Sequence, residues 1–330
     1  MRTGRAATGI GLLVAALFVL GSGAARAADD RIAIRVGADD RTCLVHVPDG
    51  IASGDSVPLL LSFHGSAWNA ATMRDVTGFD AWADAEGFVV AYPDGSGPGD
   101  VHSWNAGSCC SFALDADVDD LGFIDRLLDE LLVRYPIDPR RVYACGFSNG
   151  GMLVHRLGAV RAERFAAIAV VSGAIFPGER APGIPMPTLL IHGTGDAIVP
   201  YDGGWGALRT LSGKTQPALS VAEAAGFWRA NNGCDESPIL ENLRDAVVRR
   251  YEGCALGASV VLYTLAGGDH SWPTVTRREI DLPLEGADLD ALLRLSGEDG
   301  SSGESALWDL LEEGIDASAV IWRFFESRRR

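Results

Sequence analysis

Short apolar runs alternate with amphipathic segments along most of this chain. Runs rich in Leu, Ile, Val and Ala, which indicate strands, occupy residues 59–63, 88–92, 166–171, 188–191 and 259–265. Helical periodicity is found at residues 70–86, 117–134, 221–230 and 317–326. Because strands and helices alternate, we predict an α/β fold with one mainly parallel central sheet and helices on both faces.

Two further segments complete this outline. Residues 31–37 and 42–48 alternate polar and apolar positions, which predicts two half-buried strands joined by a turn at residues 38–41. Residues 95–113 are rich in Gly, Ser and Cys, which predicts a loop. Polar clusters after the buried strands are candidates for chemistry, because ligands bind outside the carboxyl ends of parallel strands.

The most informative stretch is residues 141–151, where an apolar strand run leads through Gly146-Phe147-Ser148-Asn149-Gly150 into an apolar run with helical spacing. This is the strand–turn–helix setting of a Gly-x-Ser-x-Gly nucleophile elbow. The turn would expose the Ser148 hydroxyl and direct the Asn149 backbone N–H, at a helix N-terminus, toward a forming oxyanion. The pattern alone is weak in a chain with 40 glycines, so it needs an acid and a histidine in support.

Both partners follow later strands. Asp196 ends the cluster after residues 188–191, and His270 lies in the cluster after residues 259–265. The order Ser148, Asp196, His270 is that of α/β-hydrolases. His270 would accept the serine proton, and Asp196 would orient the imidazole. Asp269 and Asp202 are alternative acids: the first adjoins His270 in sequence, so its side chain points away, and the second lies beyond the strand end.

Other residues near the strand ends have predicted supporting roles. The backbone N–H of Ser66 is the predicted second oxyanion donor, because it follows the strand at residues 59–63. Trp104 and Trp272 are predicted to line the acyl pocket, with simple packing as the alternative. His64 and His192 begin loops and are expected to hydrogen-bond the backbone there.

The remaining histidines and a group of acids are given structural roles. His46 and His155 lie in predicted elements, and His102 has no evident partner. The acids at positions 117, 119 and 120 look like first-turn helix residues rather than a metal cluster. We expect no metal and no cofactor.

The net charge and the N-terminal residues limit the possible partners and the location of the protein. The formal net charge is −16, which argues against a nucleic-acid partner because phosphate would be repelled. Residues 1–27 contain arginines, an apolar run too short to span a bilayer and an Ala-Arg-Ala cleavage site, which predict a signal peptide. We therefore expect a secreted protein, with residues 28–330 as a single catalytic domain and no membrane association after cleavage.

All six cysteines follow the predicted cleavage site, and an even number in an exported protein suggests disulfides. Cys234 and Cys254 flank a polar segment between a helix and a strand, so we pair them first. Cys145 lies in the strand before Ser148 and is expected to be a free buried thiol. The acidic residues 279–314 are either a solvated surface insertion or a mobile lid.

The combined motifs resemble the secreted poly(3-hydroxybutyrate) depolymerase and feruloyl esterase family of α/β-hydrolases over about residues 41–323. They are Phe63-His64-Gly65, Tyr92-Pro93-Asp94-Gly95, Trp104-Asn105-Ala106-Gly107 with Cys109-Cys110, Asp117-Val118-Asp119-Asp120, Gly146 to Met152, His192 to Asp196, Asn232-Gly233-Cys234, Gly267 to Pro273 and Ile321 to Phe325. The resemblance implies the α/β-hydrolase fold, the triad Ser148, Asp196 and His270, and oxyanion donors at Ser66 and Asn149.

The resemblance also predicts a reaction. We expect a secreted serine esterase that acts through an acyl-enzyme on hydroxyalkanoate oligomers or acylated plant polysaccharide. A catalytically inactive binding protein and a serine peptidase are the alternatives on this fold. Thr274 replaces the glycine that usually follows the Trp-Pro pair, so specificity for the leaving group is the feature least fixed by the resemblance.

Overall fold

The computed structural model describes residues 28–37, 39–49, 51, 56–207, 214–274 and 315–330. The predicted signal peptide at residues 1–27 and the acidic segment at residues 279–314 lie outside these ranges. Within them, no helix has the length and apolar character needed to cross a membrane.

Ten strands form one sheet, in the spatial order β1-β2-β4-β3-β5-β6-β7-β10-β9-β8. They are β1 (Ala28–Val36), β2 (Asp39–Val47), β3 (Val57–Phe63), β4 (Val89–Pro93), β5 (Ile137–Phe147), β6 (Ala167–Val171), β7 (Thr188–Gly193), β8 (Ile239–Asn242), β9 (Ala246–Tyr251) and β10 (Val260–Leu265). The strands from β4 to β10 in this order are parallel, and two antiparallel strands extend each edge. The predicted mainly parallel sheet is confirmed.

Helices cover both faces of the sheet, as predicted. They are α1 (Ala70–Thr77), α2 (Phe79–Glu86), α3 (Ser111–Asp115), α4 (Asp120–Arg134), α5 (Asn149–Val160), α6 (Val221–Asn232) and α7 (Ala317–Phe325). Alternate residues of β3 show the division, since Leu59 and Leu61 pack with α4, α5 and α6, whereas Leu60 packs with α1, α2 and α7. Strand side chains alternate between the two faces, so each face has its own core.

Two element predictions need correction, and one hairpin was not predicted. The single helix predicted at residues 70–86 is two helices, because Gly78 has a left-handed φ of 59° and ends α1. The predicted loop at residues 95–113 contains the first residues of the short helix α3. The hairpin of β8 and β9 was missed, because every residue of β8 is exposed and the strand therefore shows no alternation of buried positions.

The structure agrees with the two specific predictions made for the cysteines. Cys234 and Cys254 form a disulfide with an S–S distance of 2.05 Å, which ties the end of α6 to the segment after β9. Cys145 is a free buried thiol, and burial raises its pKa to about 12. The adjacent Cys109 and Cys110 are also joined.

Candidate active site

Ser148 lies at the turn between β5 and α5. Its backbone has φ 53° and ψ −119°, a region that a non-glycine residue adopts only under constraint. The Ser148 N–H donates to the Val171 carbonyl oxygen at 2.9 Å, which fixes the turn to β6. The strain is thus held by the sheet, and the side chain remains 8% exposed.

The two flanking glycines are required by space. A Cβ at Gly150 would lie 2.3 Å from the Phe63 carbonyl oxygen, and one at Gly146 would lie 2.5 Å from the Gly150 backbone. Real Cβ atoms do not approach backbone this closely. The two glycines of the elbow motif therefore have a direct steric cause.

The three predicted triad residues come together at the carboxyl ends of their strands. The Ser148 Oγ lies 2.9 Å from the His270 Nε2, and the His270 Nδ1 lies 2.7 Å from the Asp196 Oδ2. A carboxylate only accepts hydrogen bonds, so the Nδ1 carries a proton and the Nε2 is free to accept one from the serine. This is the geometry that general-base activation of a serine needs.

The Asp196 carboxylate is held as an anion although its side chain has no exposed surface. Its Oδ1 accepts the backbone N–H groups of Ile198 at 2.9 Å and Val199 at 2.8 Å. Burial would raise the pKa of the Asp196 carboxyl, but hydrogen bonds from His192, His270 and the Val199 N–H hold it well below its usual range. A charged carboxylate can therefore stabilise an imidazolium on His270.

The predicted oxyanion donors lie on either side of Ser148. Asn149 is the first residue of α5, where the helix leaves backbone N–H groups without intrahelical partners. On the other side, a Cβ at Gly65 would contact the Ser148 Cβ at 3.4 Å, so the Gly65–Ser66 peptide lies against the nucleophile. Gly65 is thus close to Ser148, and the roles of the Ser66 and Asn149 N–H groups as oxyanion donors stay predictions.

Trp104 is not positioned to line a substrate pocket, and this prediction is corrected. The residue has no exposed surface, and its indole Nε1–H donates to the His64 carbonyl oxygen at 2.9 Å. The Asn149 side chain accepts the Trp104 backbone N–H at 2.7 Å and donates to its carbonyl oxygen at 3.0 Å. Trp104 therefore supports the turn around Ser148 through its hydrogen bonds with His64 and Asn149, and it is not placed to contact substrate.

Trp272 is also a packing residue in this structure. Its side chain is 5% exposed, packs edge-on against Phe79 and Phe147, and donates to the Ser318 Oγ at 3.2 Å. These contacts anchor the loop that follows His270 to α7. The predicted pocket role is replaced by a role in holding the histidine loop.

His64, Asp94 and His102 lie close enough to share a metal ion, but their ligand atoms already have partners. The His64 Nε2 accepts the Gly95 N–H at 2.9 Å. The Asp94 Oδ1 lies 2.9 Å from the His102 Nδ1 and accepts the Ala70 N–H at 3.0 Å. The cluster is therefore a hydrogen-bonded brace beside Gly65, and it supplies partners for His102 that the sequence did not suggest.

A cavity of about 220 Å³ lies behind the His270 loop. Its walls include His192, Gly268, Asp269 and Ile315, whereas Ser148 does not line it.

Comparisons with known proteins identify the family of this chain. Residues 42–200 match the family model described as Esterase PHB depolymerase. The putative esterase NocK of Nocardia uniformis subsp. tsuyamanensis is 35% identical over 247 residues, which cover 68% of each protein. The chain belongs to the poly(3-hydroxybutyrate) depolymerase and feruloyl esterase family. The resemblance expected from the motifs is confirmed.

Two further matches show how much of this chain and of each relative is similar. Feruloyl esterase B of Piromyces equi is 30% identical over 236 residues, which span 70% of this chain but only 42% of that protein. The acetyl xylan esterase from Aspergillus awamori superposes with a TM-score of 0.51 at 17% identity, over 70% of this chain and 89% of the other. The second match confirms the α/β-hydrolase fold for this member of the depolymerase and feruloyl esterase family.

Proposed function

We propose that this protein is a secreted serine esterase whose triad is Ser148, Asp196 and His270. The continuous hydrogen-bonded chain from the Ser148 Oγ through the imidazole to the Asp196 carboxylate carries this proposal. Family membership supports it, because the relatives carry the name esterase. Secretion rests on the signal-peptide pattern of residues 1–27.

The reaction follows from the positions of the donors and acceptors. The Ser148 Oγ attacks the ester carbonyl carbon while the His270 Nε2 takes its proton, and the new oxyanion accepts the N–H groups of Ser66 and Asn149. The C–O bond to the alcohol then breaks, and His270 returns the proton to that alcohol. Water attacks the acyl-enzyme in the same way, with His270 again as base, and releases the acid.

We further propose that the substrates are esters of hydroxyalkanoate oligomers or of acylated plant polysaccharide. Methyl ferulate, acetylated xylan and hydroxybutyrate oligomers form the panel that ranks these classes by kcat/KM. The substrate inference fails if none of the three is hydrolysed faster by the wild-type protein than by its Ser148→Ala variant.

The test of the enzyme itself is Ser148→Ala. We expect p-nitrophenyl acetate turnover to fall by about 10⁴ or more with the circular dichroism spectrum unchanged. A fluorophosphonate should label the wild-type protein at Ser148 and leave the variant unlabelled. An unlabelled but folded wild-type protein would instead indicate an inactive binding protein.

A further inference from the structure

A second imidazole lies against the carboxylate of Asp196. His192 is in β7, four residues before Asp196, and is 3% exposed. Its Nε2 lies 3.2 Å from the Asp196 Oδ2, the same oxygen that the His270 Nδ1 contacts at 2.7 Å. Two imidazoles therefore approach one carboxylate oxygen, whereas the proposed reaction uses only His270.

The protonation state of His192 follows from its neighbours. Besides Asp196, its Nε2 lies 2.8 Å from the Val199 carbonyl oxygen. Both neighbours only accept hydrogen bonds, so the Nε2 carries a proton. The positive end of this N–H bond is thus directed into the turn that carries the Asp196 carboxylate.

The same residues also hold together the turn at residues 196–199. Val199 accepts from His192 through its carbonyl oxygen and donates its N–H to the Asp196 Oδ1 at 2.8 Å. His192 therefore fixes the carboxylate in two ways, by direct contact with the Oδ2 and through Val199 to the Oδ1. Other titratable groups of the described residues also lie near His192. The Tyr201 ring packs edge-on against the His192 ring, and His155 is close enough to interact electrostatically with His192.

We propose that His192 is a positioning residue of the active site, which orients the Asp196 carboxylate toward His270 and keeps it anionic. This inference rests on the proposed esterase function. The Asp196 side chain has no exposed surface, and the two imidazoles lie within 3.2 Å of its Oδ2. The low pKa of the Asp196 carboxyl agrees with this role, because burial, which raises the pKa, is offset by hydrogen bonds that include one from His192.

The experiment compares three replacements of His192. His192→Leu removes the N–H group and keeps the volume, and we expect kcat for p-nitrophenyl acetate to fall by about 10- to 100-fold with KM unchanged, as for other partners that orient a ligand or acid. His192→Gln places an amide N–H near the position of the Nε2 and should recover kcat to within about fivefold of wild type. His192→Asn places its amide near the Nδ1 instead and should behave like the leucine variant.

The matched control is His155→Leu. His155 is as deeply buried as His192 and accepts the Trp228 indole N–H at 2.9 Å, but it has no contact with Asp196. We expect this variant to lose stability while kcat stays within about twofold of wild type.

A double-mutant cycle separates positioning from general damage. If His192 acts through Asp196, His192→Leu should change kcat by less than about threefold in an Asp196→Asn background. The same loss in both backgrounds would overturn the proposal, as would a folded His192→Leu enzyme with wild-type kcat. If the leucine variant does not fold, equal kcat values for the Gln and Asn variants overturn it. Failure of fluorophosphonate to label the wild-type protein would instead refute the esterase function.

Discussion

The two sides of the Ser148 hydroxyl are built differently. On the oxyanion side, His64, Trp104 and Asn149 are essentially without exposed surface and hold backbone groups in place. On the acid–base side, the reacting groups contact one another from side chain to side chain, and the His270 side chain is 15% exposed. On the oxyanion side, these three residues hold backbone groups in fixed positions, and we call this arrangement the frame. The acid–base side is a chain of reactive side chains.

This difference separates two kinds of mutational effect. A backbone N–H donor cannot be removed by substituting its own side chain, so substitutions on the oxyanion side act by moving the frame and reduce stability together with activity. Substitutions on the acid–base side remove a reacting or orienting group, so activity falls while the fold remains. The following variants test this contrast.

The largest effect is expected for Asp196→Asn on the acid–base side. An amide places a donor where the carboxylate accepted, so His270 is held in the wrong tautomer and kcat falls by about 10⁴. We expect the melting temperature to change little in comparison. The matched control is Asp202→Asn, the acid rejected from its position in the sequence, which is exposed and should retain wild-type kcat. Equal losses in the two variants would contradict the assignment.

On the oxyanion side, Gly150→Ala should damage the frame itself. The new Cβ would lie 2.3 Å from the Phe63 carbonyl oxygen and 2.5 Å from that of His64, so β3 and α5 must separate. We expect a loss of about 3 kcal/mol in the free energy of unfolding and at least a hundredfold loss in kcat. These are measured by urea denaturation and ester hydrolysis.

Gly226→Ala is the matched control, because Gly226 lies inside α6 with no atom within 4 Å of an added Cβ. This substitution should raise the free energy of unfolding by about 0.5–1 kcal/mol, since alanine favours helix. If both variants keep wild-type stability, the steric account of the elbow is wrong.

Asn149→Ala should show a milder form of the same frame effect. The variant keeps the backbone N–H of residue 149 but leaves the Trp104 N–H without its partner. The Trp104 carbonyl oxygen keeps only the Cys110 N–H at 3.3 Å. We expect a loss of about 2 kcal/mol in the free energy of unfolding and a roughly tenfold lower kcat with KM unchanged.

Asn231→Ala provides the comparison for Asn149. The Asn231 side chain also bonds a backbone N–H and a backbone carbonyl oxygen, those of Gly183 and Ile184, in a loop that is not part of the site. Its loss should reduce stability and leave kcat unchanged. A similar fall in kcat in both variants would show that general loosening, and not the frame around Ser148, controls turnover.

The sequence predicted the acid–base side better than the oxyanion side for a physical reason. Ser148, Asp196 and His270 each follow a buried strand, and the parallel sheet brings such strand ends to one edge. The brace beneath the elbow joins residues far apart in sequence, such as Trp104 and Asn149, and no periodicity reports such a contact. His192 was expected to hydrogen-bond the backbone, and it contacts the Val199 carbonyl oxygen. Its approach to Asp196 was not predicted, because it depends on how the turn at residues 196–199 folds back.

The two sides should also differ in their response to acid. Burial lowers the pKa of His64 from its ordinary 6.5 to about 4, so the folded protein keeps this imidazole neutral while the unfolded chain takes up a proton below pH 6.5. Stability from this group is complete above pH 6.5 and is lost as the pH falls toward 4, by up to about 1.4 kcal/mol per pH unit. The pKa of Asp196 is lowered from 3.8, so its contribution is lost only below that pH.

The measurement is the urea midpoint at steps from pH 7 to pH 4.5, for wild type and His64→Asn. Asparagine keeps a donor near the Nδ1, which bonds the Gly65 carbonyl oxygen at 2.8 Å, but it does not titrate. The difference in the free energy of unfolding should narrow by about 1 kcal/mol per pH unit below pH 6.5. His102, whose pKa is raised chiefly by its hydrogen bond with Asp94, shifts stability in the opposite direction and interacts with His64, so both proteins are compared in a His102→Asn background. Parallel curves would show that the frame on the oxyanion side is not sensitive to acid in this range, and the two sides of the site would then differ in geometry alone.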